Sequence, residues 1–339
     1  MSVPDRHSSA SPARSSAPPP RVSVIVPVRD DAARLRHCLE ALRAQTVPPF
    51  EVIVVDNGST DESAEVARSF GGVDVICEPR PGSYAARNAG LHRAEGEFVA
   101  FTDSDCIPAP GWLANLLAAA AGRGGFGIIA GHVEFFKADE RAGDACFHHE
   151  RLFLMNQRAN ARHGRCVTAN WLSRAETLRA FGGFDAALQS GGDFELSGRI
   201  SAAGMEVIYA PEAVVRHPAR RSAGEIAVKT RRITAGLWAF TPLRPRLPAL
   251  SAMHTVLMMR RIGTALSAPG LTAAQRLKVS GLIVFVWAVA LGRLVRLQSG
   301  GGDAGIPEKG GASGYAMTGA GEAGFAVTRP PGDDRGEAQ

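Results

Sequence analysis

Between residues 21 and 105 the chain alternates short apolar runs with longer stretches whose apolar positions recur every three or four residues. "RVSVIVPV" (21–28), "FEVIVVDN" (50–57), "GVDVICE" (72–78) and "GEFVAFTDSD" (96–105) are β-branched or aromatic runs of strand length. Between them, Leu35, Leu39 and Leu42 share one face of a predicted helix that Asp30 or Asp31 can cap. "GSTDESAEVARSF" has Ser/Thr at a cap position and acids in its first turn, and "PGSYAARNAGLHRA" begins a third helix. Strands that are apolar on both faces and alternate with helices predict an α/β fold, a mostly parallel sheet covered by helices on both sides.

Further along, residues 216–232 carry Arg216, Arg220, Arg221, Lys229, Arg231 and Arg232. Two apolar stretches follow, "LPALSAMHTVLMMRR" (247–261) and "VSGLIVFVWAVALG" (279–292). The second has 14 uncharged residues between Lys278 and Arg293. At 1.5 Å per residue it reaches about two-thirds of a ~30 Å hydrocarbon core, a length that also suits a core or interfacial helix. Cations flanking both stretches point to attachment at an anionic membrane face. Residues 1–20 are rich in Ser, Pro and Ala and residues 299–339 in Gly, so both read as disordered tails. The expected organisation is a folded domain over 21–218, then a basic and apolar helical extension over 219–298.

Composition narrows the function. The net charge of +5 suits an anionic ligand or membrane face, but no basic stripe with interleaved aromatics argues for nucleic acid. Five scattered cysteines without a Cys-x-x-Cys spacing fit a reducing compartment. Cys146, His148, His149, His163 and Cys166 match no closed zinc-site spacing. With no apolar signal segment near the N-terminus, the catalytic part is expected in the cytoplasm, on the inner face of the membrane.

In parallel α/β sheets ligands sit beyond the carboxyl ends of the strands, where Asp30, Asp56 and the pair Asp103/Asp105 all fall. Residues two apart on a strand end point the same way, so Asp103 and Asp105 can aim at one point. Two such carboxylates repel unless a cation is shared, and oxygen ligation favours Mg²⁺ or Mn²⁺, which binds substrate phosphates as well.

"VSVIVPVRD", "EVIVVDNGSTD", "PGSYAARNAGL", "FVAFTDSDCIP" and "GGFDAALQSGGDFELSGRI" occur in that order over about residues 22–217. Together they resemble glycosyltransferase family 2, nucleotide-sugar-dependent enzymes with the Rossmann-like GT-A fold. The resemblance implies that Pro27, Val28 and Asp56 hold the nucleoside, with Asp56 on the base. It sets Arg87 near the diphosphate, makes Asp103 and Asp105 the metal-binding Asp-x-Asp, and implies that Asn170 faces donor sugar or acceptor. His217 matches a position that completes the metal site or faces the diphosphate. Asp193 matches the catalytic base, although the usual preceding glutamate is Gly192 here; Glu195 is a second acid nearby. Trp171 suits the core better than a sugar platform.

The expected activity is therefore inverting, metal-dependent transfer of a sugar from a nucleotide diphosphate to a hydroxyl acceptor, a glycan or a lipid-linked one, as in cell-envelope or exopolysaccharide synthesis. A nucleotidyltransferase would need a glycine-rich loop after the first strand, and "VPVRDDAARLR" has no glycine. The alternative from another class is a non-catalytic sugar-nucleotide or membrane-surface binding module, which the absent glutamate leaves open.

Overall fold

The protein is described by a computed structural model covering residues 20–138, 143–241, 246–301, 316–317 and 327–328. The expectations for residues 1–19 and for most of 299–339 lie outside the described residues. Within the latter range, Ala316–Met317 and Val327–Thr328 pair as two short antiparallel strands.

The first half follows the alternation of its sequence: β1 (Val22–Val28), α1 (Ala32–Arg43), β2 (Glu51–Asp56), α2 (Ser63–Ser69), β3 (Val73–Cys77), α3 (Ser83–Arg93), β4 (Phe98–Phe101). There follow β5 (Ile107–Pro108), α4 (Trp112–Ala120), β6 (Phe126–Phe136), α5 (Asp144–Phe153), α6 (Gln157–Arg162), β7 (Trp171–Arg174), α7 (Ala175–Ala180), α8 (Gly192–Ala202) and β8 (Glu206–Pro218). The chain ends in α9 (Ala223–Phe240), α10 (Arg246–Ser267) and α11 (Ala273–Gln298).

Eight strands form one sheet in the order β3-β2-β1-β4-β7-β6-β8-β5. The motif-bearing half, β3-β2-β1-β4, is parallel throughout. The other half is mixed: β7 runs antiparallel to β4 and β6, β8 runs parallel to β6, and β5 antiparallel to β8. This α/β arrangement agrees with the GT-A expectation. In the parallel half, successive strands from β1 to β4 are joined by helical crossovers, which is why it was visible as an alternation.

The central strands have helices on both faces, so their polar residues need internal partners. Ser23, fully buried in β1, donates to Glu51 Oε1 at 2.5 Å and accepts from the Gly96 N–H at 2.8 Å. Leu35, Cys38, Leu39 and Leu42 of α1 pack one face with Trp112, Leu113 and Leu116 of α4. Leu91, Leu178, Leu196 and Ile200 pack the other. The predicted cap of α1 is replaced from outside. Asp61 Oδ2 accepts the Ala32 N–H at 3.0 Å, while Asp31 turns to Arg34 and to Ser104.

β6 and β8 lose register between Gly131 and His132, where residues 211–213 of β8 bulge out. Asn170 pins this bulge. Its Nδ2 donates to His132 O and Ala213 O, each at 2.8 Å, and its Oδ1 accepts the Trp112 Nε1–H at 2.8 Å. A Cβ at Gly131 would stand 2.2 Å from that Oδ1, so only glycine fits against the amide.

The C-terminal helices pack on the sheet domain through α5 and on each other. Run 279–292 lies inside the 26-residue α11, about 39 Å long at 1.5 Å per residue, long and apolar enough to cross a membrane. Only a third of its apolar window is buried. Val279, Leu282, Ile283 and Ala290 face inward, while Leu277, Val284, Phe285 and Val295 of α11 and Val256 and Met259 of α10 are exposed.

Candidate functional site

A cavity of about 1110 Å³ opens beyond the carboxyl ends of β1 and β4 and continues under α9–α11. Its outer part is lined by Pro27, Val28, Asn57, Gly82, Arg87, Asp103, Asp105, Asp193 and His217. Seven of the nine sequence-predicted site residues thus line one space. Asp56 and Asn170 do not.

Asp103 and Asp105 converge by a turn, where the sequence suggested strand alternation. β4 stops at Phe101, and the Cys106 N–H donates to Asp103 O at 3.0 Å, closing a tight turn over 103–106. Thr102 Oγ1 donates to Ala169 O at 3.1 Å, and Ser104 Oγ to Asp31 Oδ2 at 2.8 Å, so the turn is tied on both sides. β8 brings in His217 across the sheet from this turn. Potential ligand atoms of Asp103, Asp105, Cys106 and His217 all lie within 4.8 Å of one another.

This cluster suits a hard divalent cation. His217 Nδ1 lies 2.8 Å from Pro218 O, a carbonyl that can only accept, so Nδ1 carries a proton and the other ring nitrogen, Nε2, is turned to Asp105. That Nε2 stands 3.7 Å from Asp105 Oδ1, close enough for both atoms to reach one cation. Cys106 is fully buried, and burial together with Asp105 and Asp103 pushes its thiol well above the usual range. Two carboxylates and an imidazole beside it weight the donor set toward hard and borderline ligands. The Cys146, His148, His149, His163, Cys166 set forms no such cluster among the described residues.

Arg87, on α3, is buried and pairs with Asp103 Oδ1. Its Nη1 donates to Ser83 O at 3.2 Å, and its Nε has no partner among the described residues. Beside it, the loop before α3 is held by Asn57, which the sequence did not single out. Asn57 Nδ2 donates to Glu78 O at 2.8 Å and to Arg80 O at 2.7 Å, and its Oδ1 accepts the Gly82 N–H at 2.7 Å. Gly82 has φ of +129°, a conformation that leads the chain into α3 beside the cavity. The neighbouring Asp56 accepts the Ser59 N–H at 3.0 Å, an Asx-turn that opens the loop before α2.

Asp193 lies in the first turn of α8, on the cavity wall. Burial raises its pKa above the ordinary carboxylate value against the lowering effects of Arg87, the Phe194 N–H and Tyr84. Tyr84 Oη donates to Asp193 Oδ1 at 3.2 Å, and the Tyr84 ring stacks on Phe184 with centroids 5.6 Å apart. Tyr84 lies within a quoted motif, yet nothing in its spacing marked it as a neighbour of residue 193. Glu195 points elsewhere, gripping Arg199 through Nε at 2.6 Å and Nη2 at 3.0 Å.

One expectation is corrected. Asn170 is fully buried with its amide committed to the β6–β8 bulge and to Trp112, so it does not face the cavity. Asp56 is half-buried at the end of β2, beside the cavity-lining Asn57, with its Oδ1 on the Ser59 N–H. Trp171 is core, with its Nε1–H on Ser173 Oγ at 2.8 Å.

Comparison with known proteins places this geometry. The family pattern described as Glycosyl transferase family 2 matches residues 23–179. The glycosyltransferase AglE of Haloferax volcanii is 34% identical over 225 residues, covering 64% of this chain and 73% of that protein. The pre-mycofactocin glycosyltransferase of Mycobacterium tuberculosis is 33% identical over 206 residues, 59% of this chain and 43% of that one. Among solved structures, the mannosyltransferase PcManGT from Pyrobaculum calidifontis, in complex with GDP-Man and Mn²⁺, superposes with a TM-score of 0.53. That match covers 83% of this chain and 87% of that one, at 22% identity.

Proposed function

The chain belongs to glycosyltransferase family 2 and is a glycosyltransferase; from that premise we propose that it is metal-dependent and inverting, and takes a nucleotide diphosphate sugar as donor. The observation that carries this reading is the convergence of Asp103, Asp105 and His217, with ligand atoms within 4.8 Å of one another, in the same cavity as the raised-pKa carboxylate of Asp193. The related structure holding GDP-Man and Mn²⁺ supports it by shared fold.

In this reading Asp103, Asp105 and His217 hold Mg²⁺ or Mn²⁺, which when bound supplies Lewis-acid stabilisation of the departing diphosphate. Pro27, Val28 and Asn57 border the nucleoside, and Arg87 adds positive charge beside the diphosphate. Asp193 takes the acceptor hydroxyl's proton as that oxygen bonds to the anomeric carbon. Its raised pKa suits a base working near neutral pH. With one base and direct attack, the anomeric configuration inverts.

The exposed apolar faces of α10 and α11, with Arg260, Lys278 and Arg296 exposed near them, support attachment to an anionic leaflet by helices lying at its surface. The acceptor is then a glycan or a lipid-linked molecule presented at the inner face of the cell membrane. The first test is a thermal-shift panel of UDP, GDP, dTDP and CDP with and without Mn²⁺ or Mg²⁺. A metal-dependent shift with one diphosphate that disappears in Asp105→Ala is the expected result. No shift with any nucleotide in folded protein would overturn the reading.

A further inference from the structure

The inner part of the cavity is not used by the chemistry above. It lies under the C-terminal helices and has two kinds of wall. One is apolar: Leu257 and Met258 of α10, and Ile283, Val286, Trp287 and Ala290 of α11. The other is cationic: Arg220, Lys229, Arg232 and Arg261.

Among the described residues, the buried carboxylate paired with these cations is Glu150, fully buried on α5, and it is already taken. It accepts from the Arg220 N–H at 2.7 Å, pairs with the Arg220 guanidinium, and lies 3.9 Å from Lys229 Nζ. Arg261 makes no ion pair among the described residues; its guanidinium sits 5.4 Å over the Phe153 ring. Burial draws Lys229 down to about 8, and Arg220 beside it adds a repulsion that Glu150 offsets only in part. His149, 2% exposed, lines the same space with neither ring nitrogen partnered among the described residues. A buried imidazole without partners and several cations around one carboxylate, in a cavity that also has a long apolar wall, call for a ligand carrying both complements.

Resting on the transferase reading, we propose that this inner cavity binds the acceptor as an anionic amphiphile. A phosphate group sits among Lys229, Arg232, Arg261 and His149, and an apolar chain lies along Leu257, Met258, Val286 and Trp287. The acceptor hydroxyl, carried on the group beyond the phosphate, then reaches toward Asp193, and the apolar chain leaves between helices whose outer faces are themselves apolar. The charges select the phosphate, and the helices select the chain. A free phosphate meets only the first demand, and an uncharged lipid only the second.

The test uses the full-length protein, with Trp287 as reporter and Trp287→Phe as its control, because Trp287 lines the cavity and donates to Thr255 Oγ1 at 3.1 Å. Dodecyl phosphate below its micelle concentration is expected to change Trp287 emission and bind at least tenfold more tightly than dodecanol or inorganic phosphate. Lys229→Met and Arg261→Gln are each expected to weaken dodecyl phosphate about tenfold and leave dodecanol unchanged. If one of them fails to fold, His149→Phe gives an independent reading at the same phosphate. Phe285→Ser, on the exposed face, separates cavity binding from adsorption and should leave the affinity unchanged. Equal binding of dodecanol and dodecyl phosphate, or indifference to all three cavity variants, would overturn the proposal. Inorganic phosphate binding as tightly as the amphiphile would overturn the chain's part in it. The metal-dependent nucleotide shift, measured on the same protein, separates failure of this inference from failure of the transferase reading.

Discussion

The ring of Tyr84 stands where a side chain at residue 192 would have to stand: a Cβ on Gly192 would fall 2.8–2.9 Å from three of its ring carbons. The same tyrosine donates to Asp193, so one residue both excludes a glutamate from position 192 and touches the carboxylate that follows. Gly192 is thus matched by an aromatic ring that also contacts Asp193.

Introducing Gly192→Glu should overpack this contact and destabilise by about 1–3 kcal/mol, while Tyr84→Ala in the same chain should relieve much of it. Thermal unfolding of the two single variants and the double variant measures the coupling. Additive losses would show that the two positions do not share the space.

Tyr84→Phe removes a hydrogen bond that favours the ionised form of Asp193, so the base should titrate higher. The acid limb of the kcat/KM profile should move toward neutral pH, with nucleotide affinity little changed. An unmoved limb would assign Tyr84 to packing alone.

Asp193→Asn should lower kcat by about 10²–10⁴-fold and leave nucleotide binding intact. The stability change has the opposite sign. A carboxyl whose folded pKa is raised stabilises below its unfolded pKa and loses that contribution as pH rises through the window between the two values. At pH 7 the asparagine variant should therefore unfold at an equal or higher temperature than wild type, as checked by melting at pH 4 and pH 7.

Asp103→Ala and Asp105→Ala should part company in stability. Arg87 is 4% exposed, and removing Asp103 strands its charge at a cost of about 3 kcal/mol, several degrees of melting temperature. Among the described residues Asp105 has the longer 3.8 Å approach of Arg34, the 3.7 Å approach of His217 and a weak thiol donor, Cys106 Sγ at 3.9 Å, so its alanine variant should melt near wild type without metal. Calorimetry of both apo variants decides.

Asn170→Ala should behave as a framework mutation. It leaves the Trp112 N–H and two backbone carbonyls without their partner, worth about 1–3 kcal/mol for each group left buried and unpaired. The melting temperature should fall sharply while the KM for donor in the folded fraction stays put. A selective rise in donor KM would return Asn170 to the site.

By itself the sequence determined the elements whose cause is local. The two-sided apolar runs required covered strands, and four of them came out within two residues of their expected starts. The fourth ended earlier, because 102–105 turn. Motif order and strand-end position also brought Pro27, Val28, Arg87, Asp103, Asp105, Asp193 and His217 to one cavity. What only the tertiary structure decided was which side chains have spare hydrogen-bonding capacity. Asn170 matches an expected position, yet its amide is spent on Trp112 and on a bulge 38 residues away. Tyr84 and Asp193, 109 residues apart, meet because α3 and α8 cover the same face of the sheet. Glu150 and Lys229 meet because α5 and α9 pack together with α11 through Cys146, Ile226 and Leu282. Such contacts join residues far apart along the chain, so no window of sequence contains both partners, and only the packed sheet and helices bring them within reach.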